Sequence, residues 1–228
     1  MCRDRTETGD MVVVVDIETE NTGAEIMADN KRIISVQLGD SSNQELYYAD
    51  ALDSSQSLVQ VKTRINSIVK DGGVLAGYNV KGFDIPILKQ FLEVTIPDAN
   101  VLEIGEMKEM VELAQKVGKK HLRLEEACTE FGISSNHKWL MNARAEKFKN
   151  DPAVLANADK AAQRFVIARG WSFNFSRGYA IDKIAGGRAI LESYQEFVSK
   201  RGSKDTLFYE YAVGDVVCEY RLMEALTC

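Results

Sequence analysis

The chain lacks the features of a membrane protein or a zinc-binding protein. Its longest apolar runs fall far short of the roughly 20 residues that cross a bilayer, and the apolar stretch at residues 11–15 is too short for a signal peptide. There are only 2 histidines, and the 4 cysteines form neither a Cys-x-x-Cys pair nor a zinc-ligand spacing. We therefore expect a reduced, soluble protein with a cytoplasmic location and no membrane partner.

Proline is scarce and positive charge is in the minority. With 3 prolines and 45% hydrophobic residues, the 228-residue chain suits one α/β domain with a sizeable core. Its formal net charge of −6 disfavours a nonspecific nucleic-acid coat protein, because such proteins are usually basic. We expect a flexible segment at residues 1–10 and a single domain at residues 11–228. Within that domain, the region near residues 135–204 resembles an insertion.

Hydrophobic periodicity predicts a mixed central sheet flanked by helices. A β-branched run beginning at Val12 indicates a buried strand that ends in acidic residues. Further strands are predicted at residues 32–38, 45–48 and 74–76. Helices are predicted at residues 57–69, 85–92, 107–117, 122–131, 158–168, 190–198 and 207–226. Strands followed by alternating strands and helices are typical of an α/β protein.

Carboxylates occur in three of these elements. Asp16 and Glu18 end the first strand and leave it on the same side, because strand side chains alternate. Asp84 follows a later strand, and Asp215 lies in the last helix. Four carboxylates in one pocket repel one another unless a cation neutralises them, and hard oxygen ligands select Mg²⁺ or Mn²⁺. Two such ions, about 3.5–4 Å apart, suit hydrolysis of a phosphodiester bond.

Tyr211 precedes Asp215 by four residues and so shares its helix face. A phenol with an ordinary pKa near 10 is a poor base at neutral pH, so we assign Tyr211 the orientation of an attacking water. Each motif also has a purely structural interpretation. These alternatives are helix capping by Asn79 and Asp84, core filling by Phe83, and an ordinary helix-face pair for Tyr211 and Asp215.

Taken together, the motifs resemble a known family. The segments DIET at residues 16–19, YN and FD within residues 78–84, and Tyr-x-x-x-Asp at residues 211–215 resemble the three exonuclease motifs of the DEDD superfamily, tyrosine branch. The resemblance is closest to the proofreading exonuclease domain of family-B DNA polymerases. It is strong over residues 12–91 and 207–226, and it implies a ribonuclease H-like fold of the DnaQ-like exonuclease type.

The histidine branch of that superfamily does not fit. It needs a histidine five residues before the final aspartate, whereas His121 is followed at that distance by Glu126 and His137 by Asn142. Among the 8 tyrosines, only Tyr211 has an aspartate four residues later. The tyrosine pattern is therefore specific within this chain.

The resemblance also implies residue roles. It implies two divalent ions, Mg²⁺ or Mn²⁺, held by Asp16, Glu18, Asp84 and Asp215. Tyr211 completes the catalytic set by positioning water. The residues expected to contact the substrate strand are Thr19, Asn79 and Phe83. Polymerase motifs are absent from this sequence, so we expect a free-standing enzyme or a subunit, and a replication or repair protein is the kind of partner that the resemblance suggests.

These observations predict a metal-dependent 3′ to 5′ exonuclease that releases nucleoside monophosphates from single-stranded or frayed DNA. The preference for DNA rests on the resemblance alone, because no residue identifies a reader of the 2′-hydroxyl. One alternative is an exonuclease of ribonuclease D type that trims RNA. Others are a catalytically silent nucleic-acid-binding or scaffold module and, less favoured, an endonuclease of ribonuclease H type.

Two further patterns are a group of aromatic residues flanked by arginines and a separate run of basic residues. Trp171, Phe173 and Phe175 alternate between Arg169 and Arg177, which predicts a strand paired in a hairpin with residues 179–184. These rings suit either the protein core, which we favour, or stacking on a single-stranded nucleic acid. A basic run suits either the backbone of a substrate strand or a solvated helix end. It consists of Lys116, Lys119, Lys120 and Arg123.

Overall fold

The computed structural model describes residues 11–21, 23 and 32–227, so the expected flexible segment at residues 1–10 lies outside the described residues. The described chain divides into two compact units. The first contains residues 11–18, 35–135 and 212–227, and the second contains residues 19–21, 23, 32–34 and 136–211. The expectation of one domain over residues 11–228, with an insertion near residues 135–204, stays a prediction.

A mixed sheet lies at the centre of the first unit. Its strands are β1 (Val12–Thr19), β2 (Ile33–Gly39), β3 (Gln44–Tyr48), β4 (Val74–Gly77) and β5 (Val101–Glu103). Their order is β3-β2-β1-β4-β5. β4 pairs in parallel with β1 and β5, whereas β2 and β3 are antiparallel. The predicted α/β class, with a mixed sheet flanked by helices, is confirmed.

Burial explains the composition of β1. Val13, Val14 and Val15 are each at most 2% exposed, as expected for a strand covered on both faces. In the register with β4, Val14 lies opposite Ala76. Both residues belong to one buried cluster with Val216, which places the last helix of the chain against this part of the sheet.

Helices surround the sheet within the first unit. They are α1 (Leu58–Lys70), α2 (Asp84–Leu92), α3 (Lys108–Lys116), α4 (Leu124–Glu130) and the residues from Ala212 onward of α8 (Leu207–Thr227). Gly118 and Gly132 follow α3 and α4 with φ of 71° and 67°. This left-handed backbone favours glycine after the last helical turn.

The second unit is helical over most of its described length. It contains α5 (Asn136–Ala145), α6 (Pro152–Arg169), α7 (Phe173–Ser199) and the start of α8. Small side chains such as Ala158, Ala161 and Ala185 are fully or almost fully buried between these helices. Their small volume lets neighbouring helices approach closely, which is the ordinary packing of a helical core. A helix that spans a bilayer is absent from residues 11–21, 23 and 32–227.

The predicted hairpin at residues 171–184 is wrong, because this segment begins the 27-residue helix α7. The hydroxyl oxygen of Ser172 accepts a hydrogen bond from the backbone N–H of Phe175 at 3.4 Å, which caps the helix. Phe175 and Tyr179 are four residues apart on one face of α7, and the ring of Trp171, which precedes the N-cap, contacts both. Aromatic residues at every second position from Trp171 to Phe175 fit a strand, and the same residues include a pair spaced by four, as in a helix. The periodicity therefore did not distinguish the two structures.

Candidate metal centre

Three of the sequence-predicted ligands meet in the first unit. Asp16, Glu18 and Asp215 each offer one carboxylate oxygen, and these oxygens all lie within 4.8 Å of one another. Asp16 is half-buried, whereas Glu18 and Asp215 are 8% and 3% exposed. The arrangement therefore brings three negative groups into a small volume with little access for water.

The backbone of two elements explains this convergence. Asp16 and Glu18 leave β1 on one side, because Ile17 between them points the other way and is buried. Asp215 lies on α8 next to Val216, which packs into the cluster under the sheet. A Cβ atom at Gly39, the last residue of β2, would overlap with Cγ1 of Val216. Glycine at this position therefore permits the close approach of α8 to the sheet.

Asp84 is held against the same strand. It is the first residue of α2 and is 4% exposed. Its Oδ1 accepts a hydrogen bond of 3.0 Å from the backbone N–H of Ile17, between Asp16 and Glu18. Asp84 does not belong to the set of three mutually close oxygens. It lies beside that set and is attached to it through the backbone of β1.

Burial dominates the electrostatics of Asp84. Desolvation raises the pKa of its carboxyl well above the ordinary value, and the negative charge of Asp16 raises it further. Hydrogen bonds from the backbone N–H groups of Ile17 and of Asp84 itself lower this pKa, and the charge of Glu103 adds a smaller upward contribution. The ionised form is thus disfavoured until a positive charge enters the site.

The donor set fits a divalent cation with a preference for oxygen. All of its ligand atoms are carboxylate oxygens, and two neighbouring members of this acidic group, Asp16 and Asp84, already interact unfavourably. Mg²⁺ and Mn²⁺ prefer such ligands and would relieve the repulsion, whereas no cysteine or histidine belongs to the cluster. The acidic residues present are therefore suitable for binding a divalent metal.

A buried glutamate, Glu103, supports the turn that leads to Asp84. Its Oε1 accepts hydrogen bonds from the backbone N–H groups of Asn79 at 2.6 Å and Gly105 at 3.1 Å. Its Oε2 accepts another from the N–H of Lys81 at 3.2 Å. Asn79 has a φ of 63°, an uncommon conformation for a residue with a side chain, and the bond to Glu103 stabilises it.

A second buried carboxylate holds the start of the same turn. Oε2 of Glu219 accepts a hydrogen bond of 3.2 Å from the backbone N–H of Tyr78. The hydroxyl of Tyr78 donates to the carbonyl oxygen of Leu122 at 2.5 Å. Burial, with the charge of Glu103, raises the pKa of Tyr78 to about 12, so the phenol keeps the proton that it donates. The turn is thus fixed on both sides.

Sequence reasoning missed both of these glutamates. Glu103 is the last residue of the short strand β5, and Glu219 follows Asp215 by four residues on α8. The first pattern marks a strand end, and the second marks a shared helix face. Each pattern marks an acidic side chain at such a position, but neither reveals the N–H groups of the turn that it binds.

Tyr211 lies one helical turn before Asp215 on α8, as predicted. Within the second unit, its ring centroid is 6.2 Å from that of His137, at an angle of 58°. The Nζ atom of Lys138 lies 5.6 Å from the centre of the Tyr211 ring. The phenol is half-buried, and these neighbours restrict its position.

The expected substrate contacts differ in exposure. Thr19, the last residue of β1, is 7% exposed. Asn79 is exposed, and Phe83 is 39% exposed, so its ring does not fill the core beneath the loop. Phe83 also occupies the N-cap position of α2, but neither Asn79 nor Asp84 does. The substrate contacts predicted for Thr19, Asn79 and Phe83 stay predictions.

In the predicted basic run, Lys119 forms an ion pair of 2.7 Å with Glu126. Lys116 lies in the last turn of α3, where a positive charge complements the helix dipole. The run thus has structural roles at helix ends, while its interpretation as a track for a substrate backbone stays untested.

More than half of the chain is similar to a known protein family. A model of the RNase H superfamily matches residues 13–150, which is more than half of the chain. Apart from Val12, this region includes the five strands found among the described residues, together with Asp16, Glu18 and Asp84, whereas Tyr211 and Asp215 follow it. A search among curated proteins gives no match. The mixed sheet and the family match over more than half of the chain support the same assignment: the chain belongs to the RNase H superfamily.

Proposed function

We propose that this chain is a metal-dependent 3′ to 5′ exonuclease. It hydrolyses phosphodiester bonds at the 3′ ends of single-stranded or frayed DNA and releases nucleoside monophosphates. The observation that carries the proposal is the group of carboxylate oxygens from Asp16, Glu18 and Asp215 within 4.8 Å of one another. Membership of a superfamily whose members are generally hydrolytic nucleases supports it.

In this proposal, two Mg²⁺ or Mn²⁺ ions are held by Asp16, Glu18, Asp84 and Asp215. When bound, the ions supply positive charge to the scissile phosphate, lower the pKa of an attacking water and stabilise the departing 3′ oxygen. The carboxylates contribute by converging before the ions arrive, since β1 and α8 are fixed by the core. Little reorganisation is then needed at the moment of binding.

Asp84 has a separate task, because its Oδ1 already accepts the N–H of Ile17. That bond fixes the orientation of the carboxylate and leaves Oδ2 to act as a ligand. Glu103 and Glu219 act through Asp84 rather than on the substrate, because their hydrogen bonds hold the turn before it. Both are positioning residues in this proposal.

Tyr211 is proposed to orient the attacking water through a hydrogen bond of its hydroxyl. Its place one turn before Asp215 on α8 supports this role. The water's proton passes to solvent rather than to the phenol, because an ordinary phenol is already protonated at neutral pH. Asn79 and Phe83, which are both exposed, are proposed to contact the terminal nucleotide.

The finer assignment, to the tyrosine branch of the DEDD exonucleases, rests on the order of the motifs. Asp16 and Glu18, then Asp84, then Tyr211 and Asp215 follow the order of that branch. This pattern favours removal of terminal nucleotides over internal cleavage. The choice of DNA over RNA follows the same resemblance and is therefore open to a direct comparison of the two polymers.

The test is a cleavage assay on 5′-labelled single-stranded DNA, single-stranded RNA and duplex DNA, each with Mg²⁺, Mn²⁺ or EDTA. We expect a ladder that shortens from the 3′ end, depends on the metal and forms fastest on single-stranded DNA. Asp84→Asn should abolish it. Asp98→Asn is the matched control, because the Asp98 side chain is fully exposed and 3.9 Å from Lys89.

Other outcomes distinguish the alternatives. Faster shortening of RNA would assign an RNA-trimming enzyme, and internal products would assign an endonuclease. Intact substrates in every lane, together with Mn²⁺ binding that requires Asp215, would overturn the enzymatic proposal in favour of a silent module.

A further inference from the structure

An aromatic cluster joins the end of α6 to the start of α7 in the second unit. The ring centroid of Trp171 lies 5.2 Å from that of Phe175, 5.6 Å from Tyr179 and 5.6 Å from Phe165. The first two contacts are edge-to-face, with interplanar angles of 81° and 79°. Edge-to-face contacts fix ring orientations, so the cluster is a rigid support.

Apolar side chains in and near this segment of the chain are unusually exposed. Phe175 is 60% exposed although it contacts Trp171, and Phe173 is 42% exposed. Ile167, in the last turn of α6, is 87% exposed. Phe173 lies two residues before Phe175 on α7 and so points to a different side of the helix. Phe175 is on the side of Trp171 and Tyr179, where an exposed ring is costly to leave in water and often marks an interaction site.

Positive charge accompanies the rings. The Cζ atom of Arg169 lies 4.9 Å from the ring centre of Trp171, and Nζ of Lys183 lies 5.7 Å from that of Tyr179. Residues 159–183 contain five lysines or arginines and two aspartates, a net charge of +3 in a chain of net charge −6. The local charge is thus opposite in sign to that of the whole chain.

The nearby acidic groups are already engaged. Asp159 binds Arg177 at 2.6 Å, and Asp182 binds Lys149 at 2.8 Å. Among the described residues, no carboxylate forms an ion pair with Arg169 or Lys183 within 4.0 Å. As far as the described residues are concerned, both charges are available to an anionic partner.

We infer that Phe175, Arg169 and Lys183 form a binding surface for single-stranded nucleic acid, hereafter the aromatic surface. Exposed rings stack on bases of any sequence, and the two cations contact the phosphates. The inference rests on the proposed function, since it names a surface that holds the strand whose end is trimmed. The positive charge favours this occupant over an apolar protein partner.

The test uses the intrinsic fluorescence of Trp171. The chain has 2 tryptophans, and Trp139 is 69% exposed, so Trp139→Phe leaves Trp171 as the only indole. In EDTA, which prevents cleavage, single-stranded DNA or RNA of about 12 nucleotides should change this emission as it binds. The dissociation constant is measured in parallel from the anisotropy of labelled strands.

Matched substitutions separate stacking from simple apolar contact. Phe175→Leu keeps apolar surface but removes the ring, and it should weaken binding about tenfold. Phe175→Tyr keeps the ring and should bind within about twofold of the parent. Arg169→Ala should lower the slope of log affinity against log salt concentration by about 0.7. Leu52→Ala, at a side chain that is 80% exposed in the first unit, should change nothing.

The outcomes separate this inference from the proposed function. Trimming in Mg²⁺ with unchanged affinity in Phe175→Leu would overturn the aromatic surface and leave the exonuclease intact. Binding that depends on Phe175, without trimming, would support the surface and overturn the exonuclease. Absence of binding in EDTA, or self-association that Phe175→Leu abolishes while affinity for the strands is unchanged, would overturn the surface.

Discussion

The backbone N–H of Ile17 donates a hydrogen bond of 3.0 Å to Oδ1 of Asp84, and this bond joins two acidic motifs that are 67 residues apart in sequence. Asp16 and Glu18 flank Ile17 on β1, so Asp84 is placed relative to both by one contact. Because the bond uses the peptide backbone, it survives substitution of Ile17 itself. Substitution of Asp84 is thus the most direct test of the site.

Asp84→Asn should stabilise the protein when metal is absent. The amide keeps an oxygen for the N–H of Ile17 but carries no charge beside Asp16. The pKa of the wild-type carboxyl is raised in the folded protein. Its contribution to the free energy of unfolding is therefore fully present below pH 3.8, the ordinary pKa, and is lost as the pH rises through the raised pKa. In EDTA, the melting temperature of the wild type should fall with pH relative to that of the variant.

Saturating Mg²⁺ should reverse this order, because a bound cation stabilises only the wild-type set of carboxylates. The measurement is thermal unfolding between about pH 4 and pH 8, with and without metal. Asp98→Asn serves as the control and should follow the wild type. Equal melting temperatures of the wild type and Asp84→Asn at every pH in EDTA would show that Asp84 is not destabilised by burial.

Glu103→Gln should impair catalysis without unfolding the protein. Both oxygens of Glu103 accept N–H bonds, whereas glutamine keeps only one acceptor oxygen, so at least one of the three N–H groups loses its partner and the turn from Asn79 to Lys81 loosens. We expect the turnover number to fall about 10- to 100-fold and the apparent affinity for Mn²⁺ to weaken, as for other residues that orient metal ligands.

Glu106→Gln is the matched control for Glu103. The Glu106 side chain is 65% exposed and pairs with Lys81 at 2.6 Å, and such surface pairs contribute little. A drop in turnover for Glu103→Gln that is accompanied by an equal loss in the control would contradict a specific positioning role.

Sequence patterns predicted the parts of this site that depend on residues close together in the chain, and they missed the part that depends on residues far apart in the chain. The β-branched run at Val13–Val15 predicted β1, and the spacing of Tyr211 and Asp215 predicted a shared face of α8, because both are local patterns. Glu103 could not be identified in this way. Its role depends on the N–H groups of a turn more than 20 residues away, and only the parallel pairing of β4 with β5 brings them together.

The error at Trp171 has a similar origin. Residues 171–175 alternate like a strand, and glycines at 178, 186 and 187 disfavour a long helix. Tertiary contacts outweigh that cost. A Cβ atom at Gly187 would overlap with the backbone oxygen of Asn21, so glycine at this position within α7 is required for close packing in the second unit. Propensity alone does not contain this information.

Gly39→Ala should displace α8 and weaken metal binding. The new methyl group would overlap with Cγ1 of Val216, directly beside Asp215. Overpacking of this kind costs about 1–3 kcal/mol of folding free energy. We expect a lower denaturation midpoint in urea and a weaker affinity for Mn²⁺, measured by isothermal titration calorimetry.

The double variant Gly39→Ala with Val216→Ala tests the cause. Removing the valine methyl groups makes room for the new one, so the double variant should lose less stability than the sum of the two single variants. Strict additivity would mean that the two side chains do not interact, and the close approach of α8 would then need another explanation.

Tyr211→Phe should slow cleavage while leaving metal affinity unchanged. The substitution removes only the hydroxyl, and the ring keeps its packing beside His137 and Lys138. If the hydroxyl orients the attacking water, its loss should lower the turnover number about 10- to 100-fold with little change in KM. Tyr209→Phe is the control, since Tyr209 is also half-buried on α8 and lies beside Lys204. Wild-type turnover in Tyr211→Phe would remove the phenol from the mechanism and leave the carboxylates as the whole catalytic set.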